Sequence, residues 1–132
     1  MGKRTETKLE RTVKTSIKRW LDKYKCFHAP YQAWMAKDGM PDRIVTVQAS
    51  YYAFADKGGY ASIIIPTHIV IGIEVKRPGE QPTKLQLATH RELQRAGWTV
   101  IVADSLDSVK KQLIEKGIIL QKKNNKGEMT NE

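Results

Sequence analysis

A short and almost entirely apolar run, IVIGIEV at residues 69–75, constrains the fold more than any other segment of this chain. Such a run, bounded by turn residues, is typical of a strand inside a sheet. Pro78 and Gly79 end the strand, and the periodic segment from Thr83 to about Ala96 predicts a helix that Thr83 caps. WTVIVA at residues 98–103 predicts another buried strand. The chain therefore contains a strand–helix–strand unit.

Further helices and strands are predicted on either side of this unit. Apolar residues at three- and four-residue steps predict an amphipathic helix over about residues 7–25. Residues 26–42, with two prolines and a glycine, predict a long aromatic-rich loop, and β-rich runs follow from Arg43. Ser105 begins a last predicted helix that ends at Lys116-Gly117. The order α, β-meander, α, β, α predicts an α/β fold, a mixed sheet flanked by helices.

Length and composition restrict the number of domains and the class of protein. The chain has 132 residues and is 40% hydrophobic, enough for one core, which we place in residues 1–120 with a disordered tail at 121–132. Cys26 is the single cysteine, which excludes an intrachain disulfide and a cysteine-based zinc cluster. The sequence contains neither a membrane-spanning run nor a signal-peptide core. We therefore expect a cytoplasmic protein with no membrane partner.

The charge predicts an anionic partner. There are 23 Lys and Arg residues against 14 Asp and Glu residues, a net charge of +9. Residues 1–25 hold nine of the cations and only three of the acids. Such density favours binding of a polyanion, because cationic side chains release counterions from its phosphates. A solubilising helix face is the alternative.

Three residues form a pattern that predicts phosphodiester chemistry. Glu74 and Lys76 lie two apart on one strand and share a face. Asp42 lies at the start of another strand, where its carboxylate could converge on Glu74. Two carboxylates make an oxygen site suited to Mg²⁺ or Mn²⁺, and a lysine beside it would stabilise charge on phosphorus. The alternatives are a surface Glu–Lys ion pair and an aspartate that serves only a turn.

The sequences of three segments extend this pattern to a known family. The segments are GMPDRIV at 39–45, IGIEVKRPGEQPTKLQ at 71–86 and LQRAGWTVIVADSLDSV at 93–109. From about Glu10 to Leu113 the chain resembles the VRR-NUC (virus-type replication-repair nuclease) domain. That family is a branch of the PD-(D/E)xK nucleases, so the resemblance implies a restriction-endonuclease-like fold. The longer connection between Asp42 and Glu74 indicates a hairpin inserted at about 49–66.

The resemblance assigns roles to six residues. It implies metal ligands, the catalytic lysine and a glutamine that braces the site: Glu10, Asp42, Glu74 and the carbonyl of Val75; Lys76; and Gln86. Asp42, Glu74, Lys76 and Gln86 would be the catalytic set. Two of the six have an alternative, because Thr7-x-x-Glu10 and Thr83-x-x-Gln86 both have the spacing of a helix capping box.

The resemblance also implies an activity. Stand-alone phage and bacterial members look like homodimeric, Mg²⁺- or Mn²⁺-dependent DNA endonucleases that act on branched DNA such as Holliday junctions. We accordingly expect such an enzyme in a bacterial or phage-infected cell, with Lys14, Lys18, Arg43 and Arg77 contacting nucleic acid. The alternatives are a catalytically silent DNA-binding module and a subunit that needs a partner protein. The histidines are expected to be non-catalytic, with His90 on an exposed helix face.

Overall fold

The computed structural model describes residues 6–31, 38–54 and 60–123, with the backbone alone for residues 52–54 and 60–65. These residues form three helices and five strands. Their order is α1 (Lys8–Leu21), β1 (Cys26–Pro30), β2 (Arg43–Phe54), β3 (Tyr60–Val75), α2 (Lys84–Arg95), β4 (Thr99–Ala103), α3 (Leu106–Glu115) and β5 (Ile118–Leu120).

The strands form one mixed sheet. Its order is β1-β2-β3-β4, and β5 pairs with β2 beyond the end of β1. β1, β3 and β5 run antiparallel to β2, whereas β4 runs parallel to β3 because α2 crosses between them. The predicted α/β fold, a mixed sheet flanked by helices, is confirmed. It is consistent with a restriction-endonuclease-like architecture.

The hydrophobic core lies on one face of the sheet. Alternation along β3 directs Ile71, Ile73 and Val75 into it, each at most 4% exposed. The helices α1 and α3 cover this face with an apolar stripe each: Val13, Ile17, Trp20 and Leu21 from α1, and Val109 and Leu113 from α3. Gly72 and Glu74 point to the opposite face, where α2 lies. This division into two faces keeps Glu74 out of the hydrophobic core.

Local capping signals set the ends of two helices as predicted. The hydroxyl of Thr83 accepts from the backbone N–H of Gln86 and begins α2, and Ser105 begins α3 in the same way. The helices stop before Gly97 and Gly117, which adopt φ angles of +97° and +71°. Both predicted helices are therefore confirmed.

The prediction of a helix over 7–25 is too long at its end. α1 ends at Leu21, and i→i−3 bonds from Lys23 and Tyr24 tighten its last turn. The thiol of Cys26 donates to the carbonyl of Leu21. The chain leaves the helix here because Lys25 and Cys26 already pair with β2.

The prediction of a loop over 26–42 is wrong for Cys26–Pro30, which forms β1. β1 is an edge strand and does not follow the apolar alternation that marks a strand, since Phe27 is 73% exposed. Its formation depends on pairing with β2, which the local sequence does not encode. Residues 32–37 of the predicted loop lie outside the described residues.

The hairpin predicted at 49–66 is the outer part of one long β2–β3 ladder. Pairing continues from Arg43–Ile73 to Phe54–Tyr60, with an irregularity between Tyr52 and Ala53. Pro66 does not interrupt β3, because β4 pairs with β3 only from Ile71 onward and leaves that edge open at Pro66. Residues 55–59 lie outside the described residues.

The predicted disordered tail at 121–132 begins with three residues that are paired. The N–H of Gln121 donates to Gln48, and that of Lys123 donates to Lys23. Lys122 forms a β-bridge with Tyr24. Residues 124–132 lie outside the described residues. Across the described ranges, no helix has the length and apolar character needed to cross a bilayer.

Candidate active site

Close backbone packing fixes the turn that carries Asp42. Gly39 has a φ of +81°, and a Cβ there would lie 2.6 Å from Thr89 Oγ1 and 2.8 Å from the carbonyl oxygen of Leu85, both on α2. Pro41 is fully buried, and a Cβ on Gly72 of β3 would lie 2.6 Å from its Cγ. Only glycine fits at positions 39 and 72 without displacing a neighbour. The Gly39-x-Pro41-Asp42 motif is therefore a docking element between α2 and β3.

Asp42 lies beside the end of β3. The Arg43–Ile73 pair is the first of the β2–β3 register, and one step further along it Asp42 stands beside Glu74. The backbone N–H of Val75 donates to Asp42 Oδ2 over 2.7 Å. This bond fixes one carboxylate oxygen, while the other, Oδ1, lies 3.5 Å from the ammonium of Lys14. The convergence of Asp42 on the Glu74 strand, expected from the sequence, is thus seen in the backbone register.

Glu74 and Lys76 follow on the same strand end. The side chain of Glu74 is 4% exposed and that of Lys76 is 12% exposed, so neither is a solvated surface group. The Lys76 ammonium lies 4.0 Å from Glu80 Oε1. The alternative given above, a surface Glu–Lys ion pair, does not describe two groups buried to this degree.

A tight turn brings a further acid to Lys76. The N–H of Glu80 donates to the carbonyl of Arg77, and Gly79 at φ +80° follows Pro78, as in a type II turn. Glu80 consequently folds back and bonds Arg77 Nη2 over 3.0 Å. Glu80 was not predicted as a site residue, although an acid directly after Pro-Gly, three residues from Arg77 and four from Lys76, was a usable signal.

α1 contributes one acid and one base. Glu10 is 6% exposed, accepts from the hydroxyl of Thr7, and lies 4.0 Å from Arg77 Nε. Lys14, one turn later, bonds Glu6 over 2.7 Å. Burial acts to lower the pKa of Lys14, but the bond to Glu6 and the charge of Asp42 outweigh it and raise that pKa above its ordinary value. Lys14 is therefore a cation inside the site.

Gln86 serves the helix end and also borders the site. Its Oε1 accepts from the N–H of Thr83 over 2.9 Å, which completes a capping box with the Thr83 hydroxyl. The capping alternative raised from the sequence is therefore real for Gln86. At Glu10 only half of the capping box forms. The backbone N–H of Glu10 donates to Thr7 Oγ1, but the Glu10 carboxylate accepts from the Thr7 hydroxyl and not from the Thr7 backbone N–H.

Two residues predicted to contact nucleic acid, Lys18 and Arg43, differ in exposure and in hydrogen bonding. Lys18 is exposed on α1. Arg43 is half-buried, and its Nη1 bonds His28 Nδ1 over 2.8 Å, while His28 Nε2 bonds Asp22 over 2.7 Å. Because a guanidinium only donates, Nδ1 must accept, so His28 carries its proton on Nε2. Burial lowers the pKa of Arg43, and the charge of Asp22 opposes that shift.

The predicted site residues border one open cleft of about 930 Å³ between α1, α2 and the ends of β2 and β3. It is called the site cleft below. All six residues with an assigned role line it: Glu10, Asp42, Glu74, Val75, Lys76 and Gln86. Lys14, Arg43 and Glu80 line it too. The fold thus collects residues from four separate elements in one place.

The chemistry of the site cleft suits a hard cation. Its acids are carboxylates, the donors that Mg²⁺ and Mn²⁺ prefer: Glu6, Glu10, Asp38, Asp42, Glu74 and Glu80. Over the described ranges, however, no three acidic, histidine or cysteine side chains stand close enough to enclose a metal ion. The carboxylate donors are of the right kind for such an ion, but binding would require them to move closer together.

The prediction that His90 lies on an exposed helix face is wrong. His90 is 4% exposed, and its Nε2 lies 3.9 Å from Glu74 Oε1. Burial lowers its pKa below the ordinary value, the charge of Lys76 lowers it further, and that of Asp42 acts in the opposite direction. No local pattern marks His90 as buried, because α2 buries Thr89 and His90 while its leucines stay exposed.

A comparison with known proteins finds a similar phage protein. Over 69 residues the chain is 36% identical to a protein named "Putative nuclease p44" from Acyrthosiphon pisum secondary endosymbiont phage 1. The match covers 52% of this chain and 55% of that protein, so the chain spans about half the length of the curated relative it matches. No family model matches the chain. The chain is thus similar in part to a protein named as a nuclease, and its resemblance to the VRR-NUC domain stays a prediction.

Proposed function

We propose that this protein is a Mg²⁺- or Mn²⁺-dependent DNA endonuclease. The observation that carries the proposal is the convergence of Asp42, Glu74 and Lys76 on one cleft, with Glu10 on its α1 side. The partial identity to a phage protein named as a nuclease supports the same activity. A bound divalent ion would polarise the phosphodiester and lower the pKa of a bound water.

The acids and bases of the site cleft have different tasks in this proposal. Asp42, held by the N–H of Val75, and Glu74 would bind the ion, with Glu10 and the Val75 carbonyl as further ligands. The ammonium of Lys76 would donate to the scissile phosphate and stabilise the charge that develops there. Gln86 would brace the cleft through the capping box that anchors the first turn of α2.

Cations around the site cleft would hold the phosphate backbone. Lys14 and Arg43 line the cleft, and the 45% exposed Arg77 lies 4.0 Å from Glu10, which lines it too. Away from the cleft, α1 exposes a second group of cations and hydroxyls in a shallow groove: Lys8, Arg11, Thr12, Thr15, Ser16 and Arg19. Lys18 is exposed on the same helix. This distribution favours a polyanion that extends past the site.

Branched DNA and a homodimer are the finer parts of the proposal. Each subunit provides one site cleft, so cutting both strands of a Holliday junction calls for two subunits. If sedimentation shows a monomer at micromolar concentration with and without junction DNA, paired cleavage is excluded, and single-strand or flap nicking takes its place.

Cleavage of labelled DNA tests the activity. Purified protein is incubated with a four-way junction, a 5′-flap and a linear duplex, each with Mg²⁺, Mn²⁺ or EDTA. We expect metal-dependent cutting that Glu74→Gln and Lys76→Met abolish, since each removes a reacting group of the site cleft. Lys111→Met is the matched control for lysine loss, because Lys111 is 78% exposed on α3.

The same experiment separates the alternatives. Binding of DNA without cutting under every condition, unchanged in Glu74→Gln, would refute the enzyme and support the silent binding module. Cutting that persists in both site variants would point to a contaminating nuclease or to another site. Cutting restored by a second protein would identify a partner-dependent subunit.

A further inference from the structure

His90 is a polar side chain buried beside the site cleft, and its ring nitrogen Nε2 has no hydrogen-bond partner among the described residues. Nε2 has less than 1 Å² of exposed surface and no hydrogen-bond partner within the part of the chain that the structure describes. A buried donor or acceptor in this state destabilises the folded protein. Such groups are rare in folded proteins, and each calls for a physical reason.

The nearest acid supplies that reason. Glu74 Oε1 lies 3.9 Å from His90 Nε2, and both side chains are at most 5% exposed. The separation is about 1 Å longer than a hydrogen bond, so the bond forms when the two side chains move closer together. The two groups come from different elements, β3 and α2, and the docking of Gly39 against Leu85 and Thr89 holds α2 in place next to them.

The chemistry of the ring also suits a carboxylate partner. A ring N–H of imidazole can donate a hydrogen bond to a carboxylate oxygen such as Glu74 Oε1. His90 does not line the site cleft, whereas Glu74 does. His90 therefore lies behind the carboxylate, on the side away from substrate.

We infer that His90 is a positioning residue for Glu74, donating an Nε2 hydrogen bond to Oε1 and thereby orienting the carboxylate toward a divalent ion in the site cleft. The inference rests on the proposed function. Residues that orient a metal ligand in this way contribute about 10–100-fold to metal affinity or activity. His90 would thus act through Glu74, without contact to DNA.

Mn²⁺ binding to folded protein, followed by electron paramagnetic resonance, tests the inference apart from cleavage. We expect His90→Leu to weaken Mn²⁺ binding about 10-fold or more, and His90→Gln to restore much of it, because its amide can donate from a similar position. His68→Leu is the matched control, since His68 is exposed on β3. Circular dichroism confirms that each variant folds. Equal Mn²⁺ affinity of His90→Leu and wild type overturns the inference.

The ring nitrogens give a readout that needs neither a metal nor a variant at His90. In ¹⁵N spectra of wild-type protein, we expect His90 to carry its proton on Nε2 and its shifts to move in Glu74→Gln. A proton on Nδ1, or shifts unchanged in Glu74→Gln, overturns the inference. If wild type binds no Mn²⁺, the proposed function fails, and the ring shifts alone then decide the interaction of His90 with Glu74.

Discussion

Replacing Gly39 by alanine tests whether packing against α2 holds the turn that carries Asp42. At φ +81° a Cβ costs about 1–2 kcal/mol, because it approaches its own backbone. The new Cβ would also lie 2.6 Å from Thr89 Oγ1 and 2.8 Å from Leu85 O. The hydroxyl can rotate, but the Leu85 oxygen belongs to the backbone of α2 and cannot move alone. Overpacking of this kind costs about 1–3 kcal/mol more.

Gly79→Ala is the matched control. Gly79 has a φ of +80°, almost the same as Gly39, but nothing lies within 4 Å of a Cβ placed there. It therefore incurs the conformational cost alone, about 1–2 kcal/mol. Gly97→Ala, at φ +97° and also in open space, repeats the control at the end of α2.

Urea unfolding followed by circular dichroism measures the difference. We expect Gly39→Ala to lower the free energy of unfolding by about 1–3 kcal/mol more than Gly79→Ala, with unchanged dependence on urea. It should also weaken Mn²⁺ binding, because Asp42 is three residues away on the displaced turn. Losses equal within about 0.5 kcal/mol would show that the turn adapts freely, and would refute the docking argument.

Three further substitutions test the separate roles of two α1 lysines and of the residue that caps α2. Lys14→Met should tighten Mn²⁺ binding by about 1–2 kcal/mol, because it removes a cation 3.5 Å from Asp42. The same substitution should weaken DNA binding. A loss of Mn²⁺ affinity, measured by calorimetry, would contradict the first expectation. Lys18→Ala should lower the slope of log K against log salt by about 1, measured by fluorescence anisotropy, while Lys111→Ala should not. Thr83→Ala should cost about 0.5–2 kcal/mol in urea unfolding, and a loss below that range would discount the capping box.

The features that were predictable from the sequence depend on short-range geometry. The presence of both Glu74 and Lys76 at the site cleft follows from the two-residue period of a strand, and the start of α2 follows from Thr83 and its hydroxyl. Each involves residues that are close in the chain, so spacing alone defines the contact. The shared cleft of Asp42 and Glu74 needed one further assumption, that β2 and β3 pair in the observed register.

The features that were missed depend on tertiary contacts. Leu85 is 54% exposed and Leu87 40% exposed on α2, whereas His90 and Thr89 are buried. Apolar periodicity therefore gives the wrong inner face for this helix. Its inner face is polar because it packs on Glu74 and on the turn at Gly39, where the Thr89 hydroxyl donates to the carbonyl of Asp38. A helix that packs on a charged site need not carry an apolar stripe toward it.

Charged side chains of α1 lie in two places, the site cleft and a shallow groove elsewhere on the helix. Glu10 and Lys14 face the site cleft, whereas Arg11 and Arg19 border the shallow groove that α1 exposes away from the cleft. A phosphate chain in that groove would lie about 10 Å from the cleft, the diameter of a helix with its side chains. In the proposed endonuclease, contacts at that distance would bind substrate and transition state alike, so their loss should raise KM and leave kcat unchanged. Loss of Lys14 removes a cation 3.5 Å from Asp42 in the site cleft and should change both KM and kcat.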